Sequence, residues 1–298
     1  MLKHFKAMEQ QLYLLPFDHR RSFIKLIGAA EPLKKNDAFK IKRYKQLIYS
    51  AFKLALAQGL LPQKAGILVD EAYGREILVD ARKRGFIICY PLEKSGQSEF
   101  TFDRADYKKR LQLFKPTYAK VLIRYNPEGD KALNKRQARR LAALTSYLER
   151  QSIGFLLEVL VPATARQAKK KNYDSSYRPS LTAKAIQELQ AAGVNPNIWK
   201  LEGMNRQSDL KRLARLIGPS SRIIILGRGE NKKKADRWLK VGAKVKKVIG
   251  FAVGRTVFQR PLLDYHYHKI NKRQAIKAIM ENYLHFVKVF EQKQIKLI

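Results

Sequence analysis

A lysine stands in the middle of an apolar, strand-like stretch, Asn197-Ile198-Trp199-Lys200-Leu201-Glu202-Gly203. The alternation with apolar neighbours places Lys200 and Glu202 on the same face of the predicted strand. Burying an ammonium group is costly unless it is paired or neutralised, and burial lowers a lysine pKa, which gives an enzyme a nucleophilic amine near neutral pH. The stretch also allows a lysine that only forms a salt bridge with Glu202 or Glu158.

Two other runs carry charged groups at alternate positions. Lys120 and Arg124 share one face of the run 118–125, and Glu158 lies on one face of the run 155–161. If these faces point into one lumen, repulsion between the two lysines is expected to lower the pKa of at least one of them. A free amine could then attack a ketone and form an iminium, while Glu158 relays protons. The competing interpretation is an ion-pair ladder that fills a barrel core.

Eight apolar runs are predicted as strands, and most are separated by helical periodicity: 12–17, 65–69, 86–91, 118–125, 155–161, 197–201, 222–226 and 248–253. Helices are predicted at 41–57, 75–84, 135–148, 182–192, 209–216 and 273–290. Strands alternating with helices imply a parallel sheet with crossover connections. Eight such units in 298 residues predict an α/β fold, a (β/α)8 TIM barrel, with residues 1–298 as a single domain.

Active sites of such barrels lie at the carboxyl ends of the strands. Polar residues collect at those places here: Asp18, His19, Arg20, Asp70, Glu71, Glu93, Lys94, Ser95, Arg124, Asn126, Glu158, Lys200, Glu202, Arg228 and Arg255. A purely structural barrel has no reason to concentrate polar residues along one rim. This distribution is therefore the strongest indication of function that the residues themselves supply.

Glycine-rich segments follow the last two predicted strands. They are Gly227-Arg228-Gly229-Glu230 and Gly250-Phe251-Ala252-Val253-Gly254-Arg255. Glycine lets backbone amides approach an anion, and the start of a following helix adds its dipole. These loops predict a phosphate site made by Gly227, Arg228, Gly229, Gly254 and Arg255, although tight turns without a ligand would look the same.

The net charge of +36 is unusual for a globular enzyme. Lys and Arg exceed Asp and Glu by 31 to 15 through residue 150 and by 30 to 10 after it, so the excess is spread along the chain. The runs Lys169–Lys171 and Lys232–Lys234 fall between periodic segments and are predicted to be solvated loops. Attraction of anionic substrates and non-specific adhesion to anionic polymers are expected, but dedicated nucleic-acid recognition is not.

Other classes of function find little support in the sequence. No apolar run is long enough for a membrane helix, the polar stretch 1–11 does not resemble a signal peptide, and the single Cys89 cannot form an internal disulfide. We therefore expect a cytoplasmic protein. Of the five histidines only His19 lies on the predicted rim, and His4, His266, His268 and His285 lie elsewhere. A zinc site would need several histidines on the rim, so neither a metal nor another cofactor is expected.

Eight segments of the chain match those of a known family. They are LLPFDHRRSF at 14–23, KAGILVDEAYG at 64–74, PLEKSGQSEF at 91–100, KVLIRYNPEGDKALNKRQ at 120–137, FLLEVLVPAT at 155–164, NIWKLEGMNR at 197–206, ILGRGE at 225–230 and IGFAVGRTVF at 249–258. In these segments the chain resembles the 2-deoxy-5-keto-gluconate 6-phosphate aldolase-like class I aldolases, which are similar to the tagatose-bisphosphate aldolases. The segments extend over essentially the whole chain.

The resemblance implies that Lys200 is the Schiff-base residue and Glu158 its proton-transfer partner. It also implies a substrate site lined by Lys120 and Arg124 and phosphate binding by the two glycine loops. With the rim residues the predicted substrate-binding set is Asp18, His19, Arg20, Lys94, Lys120, Arg124 and Glu202. The family is often fused to a sugar kinase in myo-inositol catabolism, but this sequence contains no kinase domain.

The leading expectation is a carbon–carbon lyase that splits 6-phospho-5-dehydro-2-deoxygluconate into dihydroxyacetone phosphate and malonate semialdehyde. Either Arg20 or Arg124 would hold the substrate carboxylate. The alternatives are an aldolase acting on tagatose or fructose 1,6-bisphosphate, and a non-catalytic basic binding or scaffold barrel. The expected binding partner is the substrate, a phosphorylated sugar acid or ketose. The sequence is also compatible with a homo-oligomer.

Overall fold

The computed structural model describes residues 11–29 and 32–294. Its eight parallel strands close into a barrel in chain order. They are β1 (Leu12–Pro16), β2 (Ala65–Leu68), β3 (Ile87–Pro91), β4 (Tyr118–Arg124), β5 (Gly154–Leu160), β6 (Ile198–Glu202), β7 (Arg222–Leu226) and β8 (Val248–Ala252). The predicted (β/α)8 barrel is confirmed.

The helices connect successive strands and follow the last one. They are α1 (Arg21–Leu26), α2 (Lys35–Ala57), α3 (Glu71–Lys83), α4 (Tyr107–Phe114), α5 (Lys131–Arg150), α6 (Ala165–Ala168), α7 (Arg178–Ala191), α8 (Gln207–Leu216), α9 (Lys232–Gly242), α10 (Arg255–His266) and α11 (Lys272–Gln294). A 3-10 turn covers Pro62–Lys64, and a π-helical turn covers Tyr173–Tyr177. Within the described ranges, no helix is long and apolar enough to cross a membrane.

Lys232 and Lys233 are exposed to solvent as predicted, but the prediction of a loop at 232–234 is wrong, because these lysines form the first turn of α9. Asn231 caps this helix, and its side chain accepts a hydrogen bond from the backbone N–H of Lys234. The helix buries Ala235, Trp238 and Leu239 at helical spacing. A run of three lysines has no apolar periodicity of its own, so it does not show that a helix with a buried face begins there.

Alternation along the strands divides the side chains into two layers. One set faces the helices and forms the large outer core, which includes Tyr13, Trp199 and Phe251. The other set fills the lumen, where an apolar cluster includes Leu12, Leu14, Leu68, Cys89, Leu156, Ile198 and Ile224. Lys120, Glu158 and Lys200 lie two residues further along their strands than Tyr118, Leu156 and Ile198, so they sit above this apolar cluster.

The loop between β3 and α4 is folded back on itself. Glu93 and Phe102 form an antiparallel bridge, and the Lys94 N–H donates to the carbonyl of Thr101 at 2.9 Å. Phe100 donates its backbone N–H to Gln137 Oε1 on α5 at 2.8 Å. These contacts hold residues 93–102 beside the carboxyl ends of the strands.

Some predictions concern residues outside the described ranges. They are the domain boundaries at residues 1 and 298, most of the polar stretch 1–11, and His4.

Candidate active site

A cavity of about 390 Å³ opens at the carboxyl ends of the strands. It contains all but one of the residues that the sequence marked as a site: Asp18, His19, Arg20, Lys94, Lys120, Arg124, Glu158, Lys200, Gly227, Arg228, Gly229, Gly254 and Arg255. The remaining one, Glu202, is not among the lining residues. The closed sheet brings these segments together although they are far apart in sequence.

Lys200 and Glu158 face each other at the centre of the cavity. They are register partners on β6 and β5, and Lys200 Nζ donates to Glu158 Oε2 at 2.9 Å. Lys120 Nζ lies 3.1 Å from the same oxygen. Burial by itself would raise the pKa of Glu158, but the two lysine charges outweigh burial and lower it. Glu158 therefore remains a carboxylate near neutral pH.

Lys120 is enclosed by carboxylates. Its Nζ contacts Asp18 at 3.0 Å, Glu158 at 3.1 Å and Glu93 at hydrogen-bond distance. An ammonium group has three N–H donors, so three carboxylates can use all of them. Burial opposes the charge, yet the three carboxylates raise the pKa of Lys120 well above its ordinary value. Repulsion between the two lysines therefore does not lower the pKa of Lys120, because the nearby carboxylates of Asp18, Glu93 and Glu158 outweigh it.

Asp18 and His19 follow β1 on the side of the cavity where Lys120 lies. Burial raises the pKa of Asp18, but Lys120 and neighbouring cations outweigh it and lower that pKa overall. Burial lowers the pKa of His19 from 6.5 to about 4 even though Asp18 opposes this shift. His19 is therefore a neutral imidazole at pH 7, and its buried Nδ1 has no hydrogen-bond partner.

The glycine loops after β7 and β8 meet at Arg255. Its Nη2 donates to the carbonyl of Arg228 at 2.9 Å, and a Cβ added to Gly229 would lie 2.5 Å from its guanidinium carbon. Gly229 has φ +75°, where a side chain is strained, and a Cβ on Gly254 would lie 2.2 Å from the Pro16 carbonyl oxygen. Gly229 therefore permits close packing against Arg255, and Gly254 permits close packing against the end of β1.

Arg228 and Glu202 form a salt bridge beside this region. Arg228 Nη1 lies 3.0 Å from Glu202 Oε1 and 2.9 Å from Asp174 Oδ1. The other oxygen of Glu202 accepts the Val161 N–H at 3.0 Å. Both carboxylate oxygens of Glu202 are thus occupied by protein groups, so Lys200 pairs with Glu158. A substrate role for Glu202 stays a prediction to which this geometry lends no support.

The two candidate arginines for a carboxylate differ in their partners. Arg20 forms two hydrogen bonds with Asp103, at 2.8 and 3.0 Å. Arg124 donates to the carbonyl of Gln97 at 2.8 Å and forms no salt bridge among the described residues. Lys94 is exposed at the cavity edge. Arg124 therefore keeps the charge that an incoming anion could neutralise, whereas the charge of Arg20 is already balanced.

Sequence reasoning did not assign a role to Glu93, although it marked the position on the rim. Glu93 lines the cavity, and its buried Oε2 has no hydrogen-bond partner. The rim after β2 contributes no lining residue, because Asp70 caps α3 and pairs with the fully buried Lys45. The polar type and rim position of Glu93 were visible in the sequence, but its unsatisfied oxygen was not.

Comparisons with known proteins agree with this architecture. The model of a family described as "Uncharacterized protein conserved in bacteria (DUF2090)" matches residues 3–294. The chain belongs to this family. No curated protein has a sequence that matches the chain significantly. A solved structure titled "The mechanism of the Schiff Base Forming Fructose-1,6-bisphosphate Aldolase: Structural analysis of reaction intermediates" is 15% identical, with a TM-score of 0.58 over 95% of this chain and 98% of that chain. This likeness shows the fold.

Several expectations stay predictions. No group of three His, Cys, Asp or Glu side chains among residues 11–29 and 32–294 is placed to hold a metal ion. Cytoplasmic location, adhesion to anionic polymers and assembly into a homo-oligomer remain predictions. So do the single-domain boundaries and the individual roles of the site residues.

Proposed function

We propose that this protein is a class I aldolase that forms a Schiff base at Lys200. The observation that carries the proposal is the difference between the two lysines of the cavity. Lys120 is held by three carboxylates and its raised pKa keeps it an ammonium, whereas Lys200 contacts Glu158 alone among the described carboxylates. Lys200 also lines the open cavity, so a substrate ketone can approach its amine.

The geometry supports a sequence of balanced steps. The Lys200 amine attacks a substrate ketone, and a proton delivered to the oxygen of the carbinolamine lets water leave as the iminium forms. Glu158, 2.9 Å from Lys200 Nζ, is placed to relay that proton. The iminium then accepts the electron pair of the breaking carbon–carbon bond, and an aldehyde departs. Protonation and hydrolysis of the enamine release the second product and the lysine.

The phosphate of the substrate is proposed to bind at Arg255 and the loops after β7 and β8. Arg255 forms no salt bridge among the described residues, and the glycines let backbone groups approach an anion. Arg124 is proposed to bind the anion at the other end of the substrate. A carboxylate there corresponds to 6-phospho-5-dehydro-2-deoxygluconate, which yields dihydroxyacetone phosphate and malonate semialdehyde.

A ketose 1,6-bisphosphate is the second candidate substrate. The solved structure with this fold is titled as that of a fructose-1,6-bisphosphate aldolase, and the exposed Lys94, which lines the same cavity as Arg124, supplies a second cation for a second phosphate. A non-catalytic scaffold would not need a buried lysine–glutamate pair beside an open cavity. The same lysine should be labelled whichever substrate is correct, so a labelling experiment tests the reaction class. A panel of sugars then distinguishes the two candidate substrates.

Reduction with borohydride in the presence of dihydroxyacetone phosphate should add the reduced ketone to the peptide that contains Lys200. Mass spectrometry of the digested protein locates the adduct. Labelling of Lys120 or Lys94 instead would show that a different lysine is the nucleophile. No labelling at all would contradict a class I mechanism. Turnover of the deoxygluconate derivative and of the two bisphosphates then identifies the preferred substrate.

A further inference from the structure

Glu93 has one occupied and one unoccupied oxygen in the cavity. Lys120 binds Oε1, whereas Oε2 is buried without a hydrogen-bond partner. The side chain is only 12% exposed, and the bridge between Glu93 and Phe102 fixes its backbone. A buried unsatisfied carboxylate oxygen is costly, and such an atom beside an open cavity indicates a ligand group that satisfies it.

The pKa values of Glu93 and Glu158 are shifted in opposite directions. Both contact Lys120, but Glu158 also contacts Lys200. Burial raises the pKa of Glu93 in spite of Lys120, whereas the two lysines lower the pKa of Glu158. A general base works best when its pKa is near the working pH, and pairs of acids with divergent pKa values divide acid and base roles. Glu93 is the stronger base of the two.

The order of the strands places Glu93 across the cavity from the phosphate loops. Lys200 lies on β6, next to β7, while Glu93 follows β3 and contacts Lys120 on β4. A substrate whose phosphate lies at the β7–β8 loops and whose ketone reaches Lys200 extends its remaining carbons toward β3 and β4.

We propose that Glu93 is a second catalytic carboxylate, which removes the proton from the substrate hydroxyl at the bond that breaks. This inference rests on the proposed aldolase function. In cleavage, Glu93 Oε2 takes the hydroxyl proton, the C–O bond becomes the carbonyl of the aldehyde, and the carbon–carbon electron pair moves into the iminium on Lys200. In synthesis, protonated Glu93 returns that proton to the aldehyde oxygen. Glu158 serves the formation and hydrolysis of the iminium.

The test compares Glu93→Gln with Glu158→Gln. An amide oxygen can still accept from Lys120 but cannot act as the base. Glu93→Gln should retain borohydride trapping of dihydroxyacetone phosphate and exchange of its α-proton with solvent, because neither step involves the hydroxyl of the breaking bond. Its kcat for cleavage should fall by about 10²–10⁴ with KM little changed. Glu158→Gln should slow trapping as well as cleavage.

Glu71→Gln is the matched control. Glu71 also follows a strand, is 13% exposed and accepts a hydrogen bond from Tyr90 at 2.8 Å, but it does not line the cavity. Its cleavage rate should stay within about threefold of the wild type. Cleavage by Glu93→Gln at that same rate would overturn the proposal, and so would a parallel loss of trapping and cleavage. Failure of the wild-type protein to trap dihydroxyacetone phosphate would instead refute the aldolase function on which it depends.

Discussion

On the side of the cavity formed by β1, β3, β4 and β5, a lysine and several carboxylates are in direct contact. Arg255 at the β7–β8 loops donates to a backbone carbonyl and forms no salt bridge with any described residue. Arg228, next to it, is balanced by Glu202 and Asp174. Contacting charges shift one another's pKa values, and an unbalanced guanidinium attracts an anion. We therefore expect proton transfer on the first side and phosphate binding on the second.

Lys200→Met should have the largest effect on activity. Loss of the nucleophile is expected to reduce turnover by several orders of magnitude. The protein should stay folded, because Lys120 still balances Glu158 at 3.1 Å. Steady-state kinetics and circular dichroism measure the two properties, and a loss of only a few-fold would place the nucleophile elsewhere.

Lys120→Met should have the largest effect on stability. It leaves the carboxylates of Asp18, Glu93 and Glu158 without their shared cation, and an unpaired buried charge costs about 3–5 kcal/mol. Urea denaturation should show this loss, while Lys200→Met loses much less. Equal losses for the two variants would show that the two lysines have the same structural role.

Arg255→Ala tests the anion-binding side alone. A charge-assisted contact contributes about 1.5–3 kcal/mol, so affinity for inorganic phosphate and dihydroxyacetone phosphate should fall about 10- to 100-fold. Borohydride trapping of an unphosphorylated ketone at Lys200 should hardly change. Arg260→Ala, on the same helix and 79% exposed, is the control. Unchanged phosphate affinity in Arg255→Ala would place the anion elsewhere on the rim.

The smallest expected effect concerns the pH dependence of stability at His19. Its folded pKa of about 4 lies below the unfolded value of 6.5, so the unfolded chain binds the additional proton between these values. Stability contributed by the neutral imidazole is therefore present above pH 6.5 and is lost as the pH falls toward 4. His19→Asn should remove this slope, on the order of 1 kcal/mol because the side chain is 33% exposed.

A second acid transition should remain in His19→Asn. Asp18 and Glu158 have lowered pKa values, so their stabilising contribution is present above their unfolded pKa of about 4 and is lost as the pH falls below it. Denaturation curves measured at several pH values separate the two windows. An unaltered slope between pH 6.5 and 4 in the variant would show that His19 is not the titrating group.

Local sequence patterns were sufficient for the barrel. Apolar runs predicted all eight strands to within one residue at each end, because a parallel strand that is buried on both faces leaves a strong local signal. Helices α1, α4, α6, α9 and α10 were not predicted, because they are short or begin with polar residues. The positions of Lys200 and Glu158 on their strands followed from the alternation of side chains along these runs.

Only the tertiary structure decided how the charges are shared. The sequence showed two inward lysines but not that carboxylates following β1 and β3 reach Lys120 while Glu202 turns to Arg228. These contacts join residues up to 102 positions apart and depend on strand register and loop path. Electrostatic interactions change steeply over a few ångströms in a poorly solvated cavity. Residue type and rim position are therefore encoded locally, whereas protonation is determined by neighbours that only the closed barrel brings together.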